Sequence, residues 1–447
     1  SYPMTILFNG ASENLLCQVR TFIGHNLPAL KDDDYLWCAE DYGNKVTAEL
    51  AGIYIPGAIH KNYTTTWEDI DKQLMGDNEF GGRLKNSSPL KEEIVSAGIP
   101  NIADKKERFA AVWQLLKSKV RWNGEYAFWG KSASKILKEG TGTNADINFL
   151  LINMLHDAGI ESLPVVMRSR NQGNLPLSHS SLKYLNTFVI AVQASDSTMA
   201  FFDSSAEDGY LNVLPANLLV NRARLIRKEG SGMWINLQNA ANSRQTTSIQ
   251  AQLGTDGLLQ CQKNSRLYNE AAARLRSIWR QAKDSTEQIH KMQERDGIEI
   301  KAYQTSNRNE FSPMMDEQMT FTKQCDVAGD IIYLNPLILI PEKESPFASA
   351  ERRLPVEFPY KQSETINTVI TLPNGYTVED IPKPIALKFD GINVRIVSNM
   401  NGNQLSTQFK LNIDKILFPA TEYKDLKAFF DRLTECNKSI ITIKKSE

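Results

Sequence analysis

Residues 140–159 run a Gly-Thr-Gly-Thr turn straight into a helix, and this junction constrains the fold more than any other stretch. Ile147, Leu150, Leu151, Met154, Leu155 and Ala158 recur at the spacing of one helix face, and Gly159 stands where a helix commonly stops. Such a helix needs an apolar surface to lie against. Its first turn offers unpaired N–H groups and the positive end of the dipole, a setting that makes a cysteine a good thiolate nucleophile. Asn144 holds that junction here. An amide is no nucleophile, and Asn144 has an ordinary alternative role as the helix N-cap, which Thr143 could fill equally well.

Upstream, Asp104 is placed to cap a second helix with the stripe Phe109, Val112, Trp113, Leu116 and Val120. Downstream, residues 163–167, 187–192 and 199–202 read as strands, the last ending at Asp203. Helix, turn, helix and then consecutive strands predict an α+β fold with an antiparallel sheet packed on helices.

A chain of 447 residues is too long for one ordinary core, and two or three domains are expected. Polar residues 76–103 read as a connector, and the Gln-, Asn-, Ser- and Thr-rich stretch 236–254 reads as a second boundary. We therefore divide the chain into a β-rich segment 1–85, a helix-and-strand core 86–235, and a C-terminal module 236–447. In the last, many short strands with turns between them predict a β-sandwich, interrupted by a long helical insertion over 267–295. A net charge of −1 supplies no field to attract nucleic acid, and no apolar run approaches the length of a membrane span. Cys17, Cys38, Cys261, Cys325 and Cys436 are odd in number and form no C-x-x-C, which argues against a disulfide scaffold or a zinc site. No cofactor is expected. The chain begins at Ser1, and we read it as a piece of a longer protein.

Three elements of the core belong together. Gly142-Thr143-Asn144-Ala145-Asp146 forms the turn, Thr187 lies on the strand 185–190, and Phe201-Phe202-Asp203 closes the next strand. They resemble the Gly-x-Cys-x-Asp turn, the histidine strand and the aspartate strand of transglutaminase-like domains in the papain-like, cysteine-protease-related superfamily. Asn144 stands at the cysteine position and Thr187 at the histidine position, while Asp203 is kept. Asn335-Pro336, Ser345-Pro346-Phe347, Glu351-Arg352 and Pro355-Val356 resemble the C-terminal β-sandwich module of bacterial envelope proteins built around such cores. The segment through Trp67 resembles the end of the β-rich module that precedes them. The resemblance implies a place outside the cytoplasm, in the periplasm or cell envelope. It also implies a cysteine protease or amide transferase activity in members with an intact triad.

In such a member the thiolate attacks an amide carbonyl, the histidine moves the proton and the aspartate orients the imidazole. Asn144 cannot attack and Thr187 cannot act as a base. Loss of either role costs on the order of 10⁶ in kcat. Each substitute also has a plainer reading. Thr141 or Thr143 as nucleophile lacks a base. His179 is a replacement base or a solvated loop residue. His156 lies off the apolar stripe and reads as surface. Cys38 or Cys261 either reaches the cleft or is a packed thiol. Asp203 suits a turn and Asp146 suits a first helical turn. The aromatic run Trp122, Tyr126, Phe128 and Trp129 either lines a cleft or closes the core.

The preferred reading is a catalytically inactive, transglutaminase-like binding or scaffolding module for a peptide, glycan or envelope protein. Its cleft would lie between the Asn144 helix and the Asp203 strand, with Trp122, Trp129, Thr143, Asp146 and His179 as candidate lining. Asn144 is expected to act there as a cap that can be replaced without loss of activity. The alternative is an enzyme whose catalytic groups have moved.

Overall fold

A computed structural model describes residues 2–8, 11–17, 19–27, 29–30, 33–48, 50–55, 59–62, 65–176 and 180–446. Two hairpins, Tyr2–Phe8 with Ala11–Cys17 and Gly52–Ile55 with Ile59–Asn62, occupy the first segment. Helix α1 (Trp67–Gly76) follows, opened by a reciprocal capping box between Thr66 and Asp69.

The stretch 76–103 is not a connector. It folds into short turns and helix α2 (Lys91–Ser96), and it buries Phe80, Leu90, Ile94 and Ile99 in the core. These apolar residues are spread singly among polar ones, so no periodicity betrays them. Trp67, Ile70 and Leu74 of α1 enter the same core, which continues to Ile226. Helix α1 is also held electrostatically. Arg224, fully buried, donates to Asp71 through Nε at 2.8 Å and Nη2 at 2.5 Å and to Glu68 at 3.2 Å, while its guanidinium stacks over Trp234. Breaking such a buried pair from one side is costly, although the pair itself contributes little net stability.

Helix α3 (Lys105–Lys119) starts at Asp104, whose carboxylate accepts the N–H groups of Lys106 and Glu107. Helix α4 (Ala133–Glu139) stops at Gly140, which takes the left-handed conformation at φ 68°. Helix α5 (Asn144–Asp157) is buried on every side from Asn144 to Leu155, and His156 is its first exposed residue. The apolar stripe seen in the sequence is thus only part of its buried surface.

Against α5 lies an antiparallel sheet of β1 (Ser162–Met167), β2 (Thr187–Gln193), β3 (Met199–Phe202), β4 (Ala223–Ile226) and β5 (Gly232–Ile235), in the order β5-β4-β1-β2-β3. Phe188, Ile190 and Val192 face the helices, while Val189 and Ala191 pack with Leu214, Leu218 and Leu219 on the other side. Burial on both faces explains why β2 reads as an unbroken apolar run.

The polar stretch 236–254 is likewise no linker. Most of it is strand β6 (Asn242–Leu253), in which buried Thr247, Ile249, Ala251 and Leu253 alternate with Ser248, Gln250 and Gln252. The outward residues supply the polar composition, and the inward ones follow the period of two. The predicted long helix over 267–295 also divides. Strand β7 (Leu258–Asn269) runs into its first residues, and helices α6 (Glu270–Gln281) and α7 (Ser285–Asp296) follow. Then come β8 (Glu299–Ser306), β9 (Met314–Gln324), β10 (Asp326–Ala328), β11 (Ile331–Leu334), β12 (Lys361–Thr371), β13 (Tyr376–Val378), β14 (Ile385–Phe389), β15 (Ile392–Asn401) and β16 (Gln404–Ile413). Helix α8 (Tyr423–Asn437) and β17 (Ile441–Lys445) end the module.

Eight strands form one sheet in the order β8-β9-β7-β6-β12-β16-β15-β14, with β6 and β12 parallel and the other neighbours antiparallel. One half of its buried face packs on α6, α7 and the four-stranded sheet β10-β11-β17-β13; the other half packs on α8. Several sheets and helical layers make the chain α+β as a whole.

Candidate functional site

The end of β3, the start of α5 and the start of β2 bring Asp203, Asn144 and Thr187 together. Asn144 Nδ2 donates to Thr187 Oγ1 at 2.7 Å and to Asp203 Oδ2 at 3.1 Å, and its Oδ1 accepts the Ala127 N–H at 3.0 Å. One turn further along α5, Asn148 Nδ2 donates to Asp203 Oδ2 and to the Phe188 carbonyl, both at 2.8 Å. Asn148 Oδ1 accepts the Ser204 N–H at 3.0 Å. Ser205 supplies both its N–H at 3.0 Å and its hydroxyl at 2.5 Å to Asp203 Oδ1. Tyr126 lies within 2.9 Å of that hydroxyl.

Asn144, Asn148, Thr187, Asp203 and Ser204 are all 0% exposed. Burial pushes the Asp203 carboxyl up from its ordinary value, and the hydrogen bonds from Ser205, Asn148 and Asn144 pull the other way. The Tyr126 phenol is pushed up to about 12 by burial and by the charge of Asp203. One carboxylate thus accepts four donors, from two amides and one serine, in a dry setting.

Thr143 is the cap of α5. Its Oγ1 accepts the Asp146 N–H at 3.2 Å, and Asp146 Oδ2 accepts the Thr143 N–H at 2.9 Å. The expectation that Asn144 acts as a cap is overturned. Asn144 is the first residue inside the helix, and its side chain turns to the sheet, where Thr187 and Asp203 satisfy it. The expected cleft between the Asn144 helix and the Asp203 strand is also absent at these residues, because Asn148, Ser204 and Ser205 fill the space.

The other candidates are dispersed. Trp122 is half-buried against Tyr126, with Nε1 donating to the Glu125 carbonyl at 2.8 Å. Trp129 is 46% exposed and meets Phe128 and Phe80 edge-on. Buried Asp146 also accepts the Lys131 N–H and borders a cavity with Arg83 and Asn153. His179 lies outside the described residues. Asn148 and Ser205 were missed by sequence reasoning; the signal available was a second asparagine one helical turn after Asn144.

Chemically, this cluster holds no thiol and no imidazole, only amides, hydroxyls and one carboxyl group. Two first-turn N–H groups that an oxyanion would use are already taken, Asn144 by the Glu125 carbonyl and Asp146 by Thr143. The thiols elsewhere offer little substitute. Cys261 and Cys325 are packed under the large sheet, where burial pushes them up to about 12 and about 11. Cys38 is only half-buried. Among the described residues, no cluster of His, Cys, Asp and Glu is arranged to hold a metal ion, and no helix is long and apolar enough to cross a membrane.

Residues 330–443 match the model of a family described as a domain of unknown function with solved structure, DUF3858. No curated protein matches the chain. A solved structure from Parabacteroides distasonis, described as a putative protease, is similar in fold, with a TM-score of 0.50 at 12% identity. The match covers 89% of this chain and 63% of that one, so the chain spans less than two thirds of that protein's length. The architecture is therefore that of a multidomain α+β protein, similar in fold to that structure.

Proposed function

We propose that this chain is a non-catalytic, transglutaminase-like module that serves in binding or scaffolding. One observation carries the reading: the three triad-equivalent residues meet, but as a sealed joint of Asn144, Thr187 and Asp203 with no reactive atom. The polar groups here lock α5 to the sheet and hold the core in one arrangement. A peptide, glycan or envelope protein would then be bound by outward surfaces of the modules rather than at this joint. The reading places the protein outside the cytoplasm, on the strength of its resemblance to envelope proteins. Cell fractionation tests that placement.

The test of function is an assay of the purified chain for peptide-bond cleavage and for incorporation of a fluorescent amine into casein. No turnover is expected, before or after treatment with iodoacetamide. Turnover that iodoacetamide abolishes, traced by mass spectrometry to one labelled thiol, would overturn the reading and reinstate a cysteine protease or transferase with relocated groups.

A further inference from the structure

We infer that the three segments of the chain jointly build a binding site for a small oxyanion, a carboxylate or phosphate group. Its walls come from residues 37–42, from the core at 168–175 and 219–222, and from the C-terminal module at Glu357 and Leu417. The cavity measures about 120 Å³, enough to admit a group of a few heavy atoms.

Charge decides what it would hold. Arg168, Arg170 and Arg222 border the cavity, and Asp41 and Glu357 are its acidic residues. Both carboxylates are already engaged. Asp41 Oδ2 accepts the N–H of Asn174 at 2.7 Å and its Nδ2 at 2.9 Å. Glu357 accepts the Tyr42 hydroxyl at 2.6 Å and the Trp37 backbone N–H at 3.0 Å. The guanidinia, by contrast, have donors to spare, since each carries five N–H groups in a fork suited to oxyanions. Arg170 lies over the Trp37 ring at 4.3 Å and reaches the Pro359 carbonyl at 3.4 Å. Arg222 reaches the Leu175 carbonyl at 3.2 Å. Arg168 faces the Tyr184 ring and makes no hydrogen bond or ion pair among the described residues.

A second observation points the same way. The indole N–H of Trp37, which borders this cavity, is buried without an acceptor. An unmade hydrogen bond at a buried donor is costly, and an oxyanion in the cavity is the kind of acceptor that would relieve it. None of these groups belongs to the Asn144 joint, so the inference stands apart from the function proposed above.

The experiment is thermal unfolding of the full chain at matched ionic strength in chloride, inorganic phosphate, N-acetylglycine or N-acetylglycinamide, with affinities from the concentration dependence. Phosphate or N-acetylglycine is expected to raise Tm above the chloride value, and whichever does so identifies the source of the oxyanion. The neutral amide is expected to leave it unchanged. Arg168→Gln and Arg222→Gln should each weaken the effect roughly tenfold. Where either variant already melts lower in chloride, Arg168→Lys, which keeps the charge but loses the fork, should retain part of the effect. No rise with either anion overturns the proposal. So does an equal rise in the wild type and the variants.

Discussion

Asp203 in the core and Glu364 on the buried face of the large sheet are both carboxyl groups withdrawn from water, but their surroundings differ. Asp203 accepts four hydrogen bonds from neutral amide and hydroxyl groups held on α5 and on its own turn. Glu364 lies beside Glu342 and Arg274 and accepts no hydrogen bond among the described residues. Burial first, and the neighbouring Glu342 second, push Glu364 up to about 7. Close by, Lys263 pairs with Glu317 at 2.5 Å, and Glu317 also takes the Tyr303 hydroxyl at 2.8 Å. The core stabilises its charge with fixed dipoles, whereas the sheet relies on long charged side chains. The first arrangement gives a rigid joint, and the second leaves a group that titrates near neutrality.

The sharpest way to break the contrast is Asn144→Asp. It would place a second carboxylate where an amide now donates to Asp203, and two such charges cannot both stay ionised. A loss on the order of 3–5 kcal/mol is expected at pH 7, easing as the pH falls and the pair takes up a proton. Urea unfolding at pH 7 and pH 5 measures this, and wild-type stability at pH 7 would mean that the joint is wet.

Asn148→Ala removes one donor to Asp203 and leaves the Ser204 N–H unpaired, at a cost of about 2–3 kcal/mol. The deficit should shrink at low pH. With a donor gone, the folded pKa of Asp203 rises further, so the added cost falls on the ionised form and is absent below the unfolded value of ~3.9. A deficit independent of pH would show that Asn148 acts by packing alone.

Glu364→Gln tests the other region and has the opposite sign. Because the folded pKa of about 7 lies above the unfolded value, the stability contributed by protonated Glu364 is complete below pH ~4.3 and is lost as the pH rises through about 7. The glutamine variant should therefore match the wild type near pH 4 and exceed it at pH 8, by roughly 2–4 kcal/mol. Equal stabilities at pH 8 would place Glu364 in contact with water. The smallest effect belongs to Thr187→Val, about 0.5–1.5 kcal/mol, because Asn144 keeps Asp203 as an acceptor when the hydroxyl is gone.

The sequence alone determined the local pieces, because each is encoded within one or two helical turns or strand repeats. Asp104 caps α3, Thr143 caps α5, and the strands around residues 163, 187 and 199 follow from short-range periodicity and hydrogen bonding. The motif comparison also predicted that Asn144, Thr187 and Asp203 would meet. Only the tertiary structure decided what that meeting became. Whether Asn144 points outward as a cap or inward as a donor depends on Asn148 and Ser205 closing the space, and their shared partner Asp203 lies 55 residues from Asn148 and 2 from Ser205, in no repeating pattern. The same holds for Asp71 with Arg224, 153 residues apart, and for the polar stretches that became a packed turn and a central strand. Periodicity reports which face of an element is apolar, but it cannot name the distant side chain that will satisfy a buried polar group. That choice is made only when the chain closes on itself and water is excluded.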